Sequence, residues 1–290
     1  MTSMADSVEA PLTSGDRPPA SHTVLSPRTF VSFASTMFAI DLISVGYGVV
    51  DLAFIAHGGT VMVVAVGLGD LVTLLYMAFF AGVVDVYAAR LARAEGCSQM
   101  RRLPRLLGAL AVIAMLWTVL GIIAAACTPP LLDLVGSNRA AADIAAGYVT
   151  VRMVGIPFAL GLAAVSVTLR VIGRKRASIW VIFIGFLLNA GLDFILIYGP
   201  ARSWIESPVM AVAAATAIVQ AVTAIGGGFI LKRHFSQRGT EAYEPEKDEA
   251  GLFVLIIEML RTSLGVGLRQ MNDYAATVVP FLLISRLGRV

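Results

Sequence analysis

Charged side chains are scarce in this sequence of 290 residues. Asp, Glu, Lys and Arg make up 14% of it, against about 25% in an ordinary soluble domain. Apolar residues reach 58%, and the mean hydropathy is +0.82. A water-soluble fold could not hide this much apolar surface. The composition therefore excludes an ordinary soluble domain and favours a membrane protein.

Cysteine and histidine are also rare, with two and three residues. Cys97 and Cys127 do not form a CxxC pattern, and the histidines form no HxxxH pattern, so we expect neither a disulfide nor a metal centre. The glycine run at 226–228 is not followed by Lys and Ser or Thr, which rules out a phosphate-binding loop. We expect no enzyme and no cofactor.

Seven apolar segments are long enough to cross a bilayer as helices, which takes about 20 residues. They predict an all-α membrane protein with about seven transmembrane helices. The segments are residues 29–55, 61–88, 106–127, 143–170, 177–198, 208–231 and 252–284.

Basic residues in short loops predict the orientation of a membrane protein. The loops after the first, third and fifth segments contain only Arg139 and Arg202. The loops after the second, fourth and sixth are much more basic, so we expect a multi-pass protein of the cell membrane with a cytoplasmic N-terminus. The net charge of +3 therefore reflects topology and does not indicate nucleic-acid binding.

The spacing of the segments predicts four regions. Residues 1–27 are polar and lack the layout of a signal peptide, so we expect a disordered cytoplasmic tail. Residues 28–231 form a six-helix lobe, and the long charged stretch 232–250 is a cytoplasmic linker. Residues 251–290 are expected to be the first helix of an incomplete second lobe.

Ionisable residues inside apolar spans are costly, and each is a candidate functional residue. For a single acid, a structural hydrogen bond to a neighbouring helix is the alternative. Asp85 is expected to form an interfacial ion pair with Arg90, and Arg152 and Arg170 are expected to snorkel toward the span ends. The acids are Asp41, Asp51, Asp70, Asp85, Asp193 and Asp273.

Depth groups three polar residues at one level. Asp51 lies six residues before His57 and Asp193 six before Gly199, about 9 Å below the outer ends of their spans. Thr216 lies about 12 Å down the sixth span, and Asp70 about 15 Å down the second.

Two pairs of these residues are spaced four apart, Tyr47 with Asp51 and Asn189 with Asp193. Each pair shares a helix face. Together with Thr216 they predict an oxygen-rich cage that could bind sodium, or in which two buried carboxylates could share a proton.

An ordered set of motifs resembles the multidrug and toxic compound extrusion family, the MATE transporters. GVVDLAFIA at 48–56 and AVGLG at 65–69 are similar to its first two helices, and LLDLVG at 131–136 precedes AGY at 146–148. GIPF at 155–158, LRVIG at 169–173, LNAGLDFILIYG at 188–199 and AAAT at 213–216 follow in the family order.

The resemblance implies a transporter with two six-helix lobes that exports organic cations and other compounds in exchange for sodium or protons. By match, the coupling site would contain Asp51, Asn189, Asp193 and Thr216, with Tyr47 beside Asp51. Asp273 matches an acid that another branch uses on the seventh helix, and Asp70 and Asp41 are further acidic candidates outside the family pattern.

The expected function is ion-coupled export of small cationic or amphipathic compounds across the inner membrane, with lipid and a small-molecule substrate as partners. The sequence contains little more than half of such a transporter. We therefore keep two alternatives: a transport-inactive half-length protein that assembles with a second half or with itself, and a lipid-intermediate flippase.

Overall fold

The computed structural model describes residues 26–97, 99–134, 139–205, 207–237 and 251–287, with the side chains of 277–287 left out. Every regular element in these ranges is helical. The predicted tail, the second half of the predicted linker and the last three residues lie outside the described residues, except that Pro27 already begins a helix. The α-helices are α1 (Pro27–Ile55), α2 (Thr60–Gly96), α3 (Leu103–Ala126), α4 (Thr128–Leu134), α5 (Arg139–Val154), α6 (Ile156–Val171), α7 (Lys175–Ile197), α8 (Pro208–Gln237) and α9 (Leu252–Leu287).

Five of the described helices are long and apolar enough to cross a membrane, namely α1, α2, α3, α7 and α8. The number rises to six if α5 and α6 form one bent span. The expected all-α membrane fold is confirmed. The helix predicted over 252–284 is present as α9, but α9 does not meet the same measure, because Glu258, Arg261, Arg269 and Asp273 interrupt its apolar residues.

The span predicted as continuous over 143–170 is broken. α5 and α6 meet at Gly155 with a bend of 49°. Pro157 lies in the first turn of α6, where its missing N–H is tolerated, but it cannot extend the hydrogen-bond ladder of α5. At the bend, a Cβ on Gly155 would lie 3.1 Å from the Cβ of Ala217 on α8. Glycine thus permits close packing at this point.

Two helices extend past their predicted ends. α2 continues to Gly96, and α8 continues to Gln237, six residues beyond the expected end of its span. The prediction that the linker begins at Lys232 is therefore wrong. Lys232 and Arg233 stay in helical register because good helix formers extend a helix beyond the bilayer without needing an apolar environment.

Buried apolar side chains join α2, α3, α5 and α6. Phe80, Tyr87, Ile113, Met153 and Ile156 are each at most 2% exposed and belong to one continuous cluster. The outer helix faces carry exposed apolar residues instead, as expected for surfaces that contact lipid. They include Phe38, Trp180, Ile225 and Phe229.

Helix α9 packs along α2, with Met259 and Ser263 buried in the contact. Gln270 donates a hydrogen bond of 2.8 Å to Asp85, and Arg90 forms an ion pair of 3.1 Å with Glu258. The predicted Asp85–Arg90 ion pair is therefore wrong. Residues five apart on a helix point about 140° apart, so each of the two finds its partner on α9.

Candidate functional site

Three helices bring the predicted cage residues together. Asn189 on α7 donates from Nδ2 to Asp51 Oδ1 of α1 at 2.7 Å and to Asp193 Oδ2, one turn along α7, at 3.0 Å. Thr216 on α8 donates to Asp51 Oδ2 at 3.3 Å. One amide nitrogen thus joins two carboxylates from different helices, and a hydroxyl contacts the same Asp51.

The four side chains are almost completely buried. Asp193 is 0% exposed, Asn189 1%, Thr216 3% and Asp51 4%. Local sequence explains the arrangement, since Asn189 and Asp193 are four residues apart and point from the same face of α7. Gly185, one turn before Asn189, leaves room for the Tyr47 hydroxyl, which would lie 2.5 Å from a Cβ there.

Two oxygens of this cage are buried and accept no hydrogen bond from the described residues, namely Asn189 Oδ1 and Asp193 Oδ1. Buried polar atoms without a partner are rare and call for an explanation. Carboxylate, amide and hydroxyl oxygens are the ligand types that hard cations prefer, and a proton on either carboxylate would serve as a donor. The donor set therefore fits either a sodium ion or a proton.

Tyr47 stands beside the cage but is not bonded to it. Its hydroxyl donates to the carbonyl oxygen of Ile182 at 3.3 Å, and its ring packs edge-on against Phe186 with 5.6 Å between centroids. Tyr47 and Asp51 share the helix face that the sequence predicted, and both line the same cavity.

That cavity has a volume of about 740 Å³. It is bounded by α1, α2, α5, α6, α7 and α8, with Tyr274 of α9 at one side. Asp51 connects it to the cage, because Asp51 lines the cavity while Asn189 and Asp193 lie behind it. Most of the wall is apolar, with scattered hydroxyl groups.

The other acidic candidates are divided by the structure. Asp41 and Asp70 line the cavity, and Asp70 Oδ1 accepts a hydrogen bond of 2.6 Å from Tyr148 of α5. Asp70 therefore lies near the cage without joining it. Asp273 is exposed on α9 and is not among the cavity-lining residues.

Two cavity residues were missed by the sequence. Arg152 and Arg170 were expected to snorkel out of the membrane, but both line the cavity. Arg170 donates to Ser166 Oγ at 3.0 Å, one turn back along α6. The signal was present: each arginine is four residues after a polar residue of the same face, Tyr148 for Arg152 and Ser166 for Arg170.

No group of three or more His, Cys, Asp or Glu side chains could hold a metal ion in the described ranges. A sodium ion in the cage would thus rely on the Asn189 amide oxygen and the Thr216 hydroxyl besides Asp51 and Asp193.

The sequence of residues 36–195 matches the MatE family. This range is more than half of the chain and includes Asp51, Asn189 and Asp193. The chain belongs to the MATE family. Members of this family are transporters rather than enzymes, so the protein is a multi-pass membrane protein of a transporter family.

Solved MATE structures share the fold. A MATE in the bent conformation is 22% identical, with 83% of this chain and 52% of that chain aligned and a TM-score of 0.67. The eukaryotic MATE transporter AtDTX14 is 14% identical, with 86% and 54% aligned and a TM-score of 0.70. A transporter of the MOP superfamily from Pyrococcus furiosus is 21% identical, with 86% and 53% aligned and a TM-score of 0.60.

The chain therefore spans about half the length of the solved transporters it matches. A search of curated protein sequences found no match.

Proposed function

We propose that this MATE protein takes part in the ion-coupled export of small organic compounds, cationic or amphipathic, across the inner membrane. The single observation that supports this most is the Asn189 side chain, which donates to both Asp51 and Asp193 in a buried cage. Two carboxylates held this close need a cation or a proton between them, because burial of charge is costly unless it is offset.

The coupling step follows from the position of Asp51. This carboxylate belongs to the cage and also lines the cavity. A proton or sodium ion that enters the cage neutralises Asp51, and a cationic substrate in the cavity then loses its counter-charge. Ion entry and substrate release are thereby linked through one side chain, as an exchange mechanism requires.

The cavity suits a small organic substrate. Its volume of about 740 Å³ lies within the range of about 300–1,000 Å³ usual for small-molecule sites. Asp41, Asp51 and Asp70 give it negative charge, and its mostly apolar wall suits an amphipathic body. Arg152 and Arg170 add positive charge, so the cavity is not purely acidic.

Drug resistance in an efflux-deficient host tests the proposal. Asp51→Asn and Asp193→Asn should each abolish the resistance that the unaltered chain gives, at unchanged expression. Asp133→Asn is the matched control, because Asp133 is an exposed acid on α4 that does not line the cavity, and it should retain resistance. Unchanged resistance in both cage variants would refute the role of the cage.

Vesicles containing the full chain distinguish the coupling ions and the alternatives. An imposed pH gradient or an imposed sodium gradient should drive substrate uptake in one case and not in the other. Transport of a lipid intermediate in the same vesicles would favour the flippase alternative. Correctly folded protein that transports nothing under either gradient would favour the inactive half-length protein that assembles with a partner.

A further inference from the structure

A second, smaller cavity lies far from the cage, where the end of α2, the start of α3 and the start of α9 meet. Its volume is about 370 Å³. Its lining contains four arginines, Arg90, Arg93, Arg102 and Arg105, against one acid, Glu258. Even with the Arg90–Glu258 ion pair of 3.1 Å, the lining carries a net positive charge of three (four minus one).

The floor of this arginine cavity is apolar. Ala94 and Leu106 are each 6% exposed, and Leu255 of α9 completes the lining. The guanidinium groups thus stand around an apolar surface, and the arrangement suits a ligand with an anionic head and a hydrocarbon body. A small inorganic anion would leave the floor unused.

The cavity lies at the level of lipid headgroups. α2 has 37 residues and is about 55 Å long, much longer than the hydrocarbon core of about 30 Å. Its last two turns, with Arg90 and Arg93, therefore extend beyond the core. α3 enters the membrane from the same side, starting at Leu103.

The surface next to the cavity faces lipid. The first turns of α9 carry exposed apolar side chains beside Leu255, with Phe253 72%, Ile257 47% and Leu252 42% exposed. A hydrocarbon chain that leaves the cavity can follow this face of α9 without crossing a polar surface. Basic cavities between transmembrane helices are a recognised place for anionic lipid headgroups.

We infer that the arginine cavity binds the phosphate headgroup of an anionic membrane lipid, with its glycerol region on Leu106 and Leu255. Arginine suits this role because its planar fork can bind two phosphate oxygens at once. A lipid bound here also contacts both α2 and α9 and so bridges the six-helix lobe to α9. The acidic residues of 238–250, which lie outside the described residues, are the rival ligand.

Native mass spectrometry of the detergent-solubilised full chain tests the inference, with dioleoyl phosphatidylglycerol as the anionic probe and dioleoyl phosphatidylcholine as the zwitterionic one. Phosphatidylglycerol should bind about tenfold or more tightly. The double variant Arg102→Gln/Arg105→Gln should lose about tenfold in phosphatidylglycerol affinity. The control, Arg174→Gln/Arg176→Gln, removes the same charge at the start of α7, outside the cavity lining, and should bind as the unaltered chain does.

A conservative variant guards against misfolding. Arg102→Lys/Arg105→Lys keeps the charge and should retain the preference for phosphatidylglycerol, since lysine binds phosphate as a point charge. Equal binding of the two lipids, or unchanged affinity in Arg102→Gln/Arg105→Gln, would overturn the inference.

Two further arms identify the source of the anion. Inorganic phosphate at the concentration of the lipid should not displace phosphatidylglycerol, and displacement would overturn the assignment to a lipid. The triple variant Glu244→Gln/Glu246→Gln/Asp248→Asn should bind phosphatidylglycerol within about twofold of the unaltered chain. A gain of tenfold or more would show that the acidic linker is the resident ligand instead.

Discussion

Gly82 of α2 and Gly267 of α9 cross so closely that a Cβ added to Gly82 would lie 2.6 Å from the backbone nitrogen of Gly267 and 2.6 Å from the carbonyl oxygen of Ser263. The obstacle is backbone, which cannot rotate away. Small residues at such crossings let helices approach closely in membranes, where packing replaces the hydrophobic driving force.

Replacing Gly82 should therefore loosen α9. We expect Gly82→Ala to destabilise the protein by about 1–3 kcal/mol and to lower its melting temperature in detergent. Gly67→Ala is the matched control, because Gly67 lies on the same helix and its added Cβ would meet nothing within 4 Å. Equal melting temperatures for both variants would contradict the close crossing.

Asn189 should matter for transport as much as the carboxylates it joins. Asn189→Ala removes both hydrogen bonds, 2.7 Å to Asp51 and 3.0 Å to Asp193, so we expect at least about a tenfold loss of substrate uptake in vesicles, since hydrogen bonds to charged groups contribute about 1.5–3 kcal/mol. Asn272→Ala, at an exposed position of α9, should leave uptake unchanged. Full activity of Asn189→Ala would contradict a coupling role for the amide.

The Tyr47 hydroxyl should be dispensable for ion coupling. It donates to Ile182 and not to Asp51, so we expect Tyr47→Phe to change the half-saturating ion concentration by less than about threefold, in line with the net value of a neutral hydrogen bond. Tyr47→Ala should have a larger effect, because it also removes the ring packed against Phe186. If Tyr47→Phe behaved like Asp51→Asn in the same assay, the hydroxyl would have to act in the cage.

The Arg90–Glu258 pair should contribute only modestly to stability. Its side chains are 31% and 55% exposed, and such pairs are worth about 0.2–1 kcal/mol. Arg90→Glu and Glu258→Arg should each lower the melting temperature, and the double reversal should recover most of the loss. A double variant that is no more stable than the worse single variant would show that the ion pair does not link α2 to α9.

Helix existence and the cage residues could be predicted from the sequence because both depend on local quantities. A span of about 20 apolar residues has one stable form in lipid. The fixed rise per residue converts distance from a span end into depth, which placed Asp51, Asp193 and Thr216 at one level. The four-residue spacing then placed Asn189 on the same face as Asp193.

Side-chain partners across helices could not be predicted in this way. Asp85 and Arg90 are near each other along the chain, yet each contacts α9. Arg152 and Arg170 were expected at the membrane surface, because the sequence does not show that a cavity lies beside them. The bend at Gly155 likewise depends on α8, whose Ala217 packs against it.

The sequence by itself determined that this chain is an all-helical membrane protein with buried acids at one level, since the cost of burying polar backbone and charge in lipid leaves few alternatives. Only the tertiary structure decided which helices are neighbours. That choice joined Asp51 to Asn189, left Tyr47 and Asp70 with other partners, and collected four arginines around one cavity. Neighbouring helices are selected by packing across residues far apart in the chain, and no local pattern records that selection.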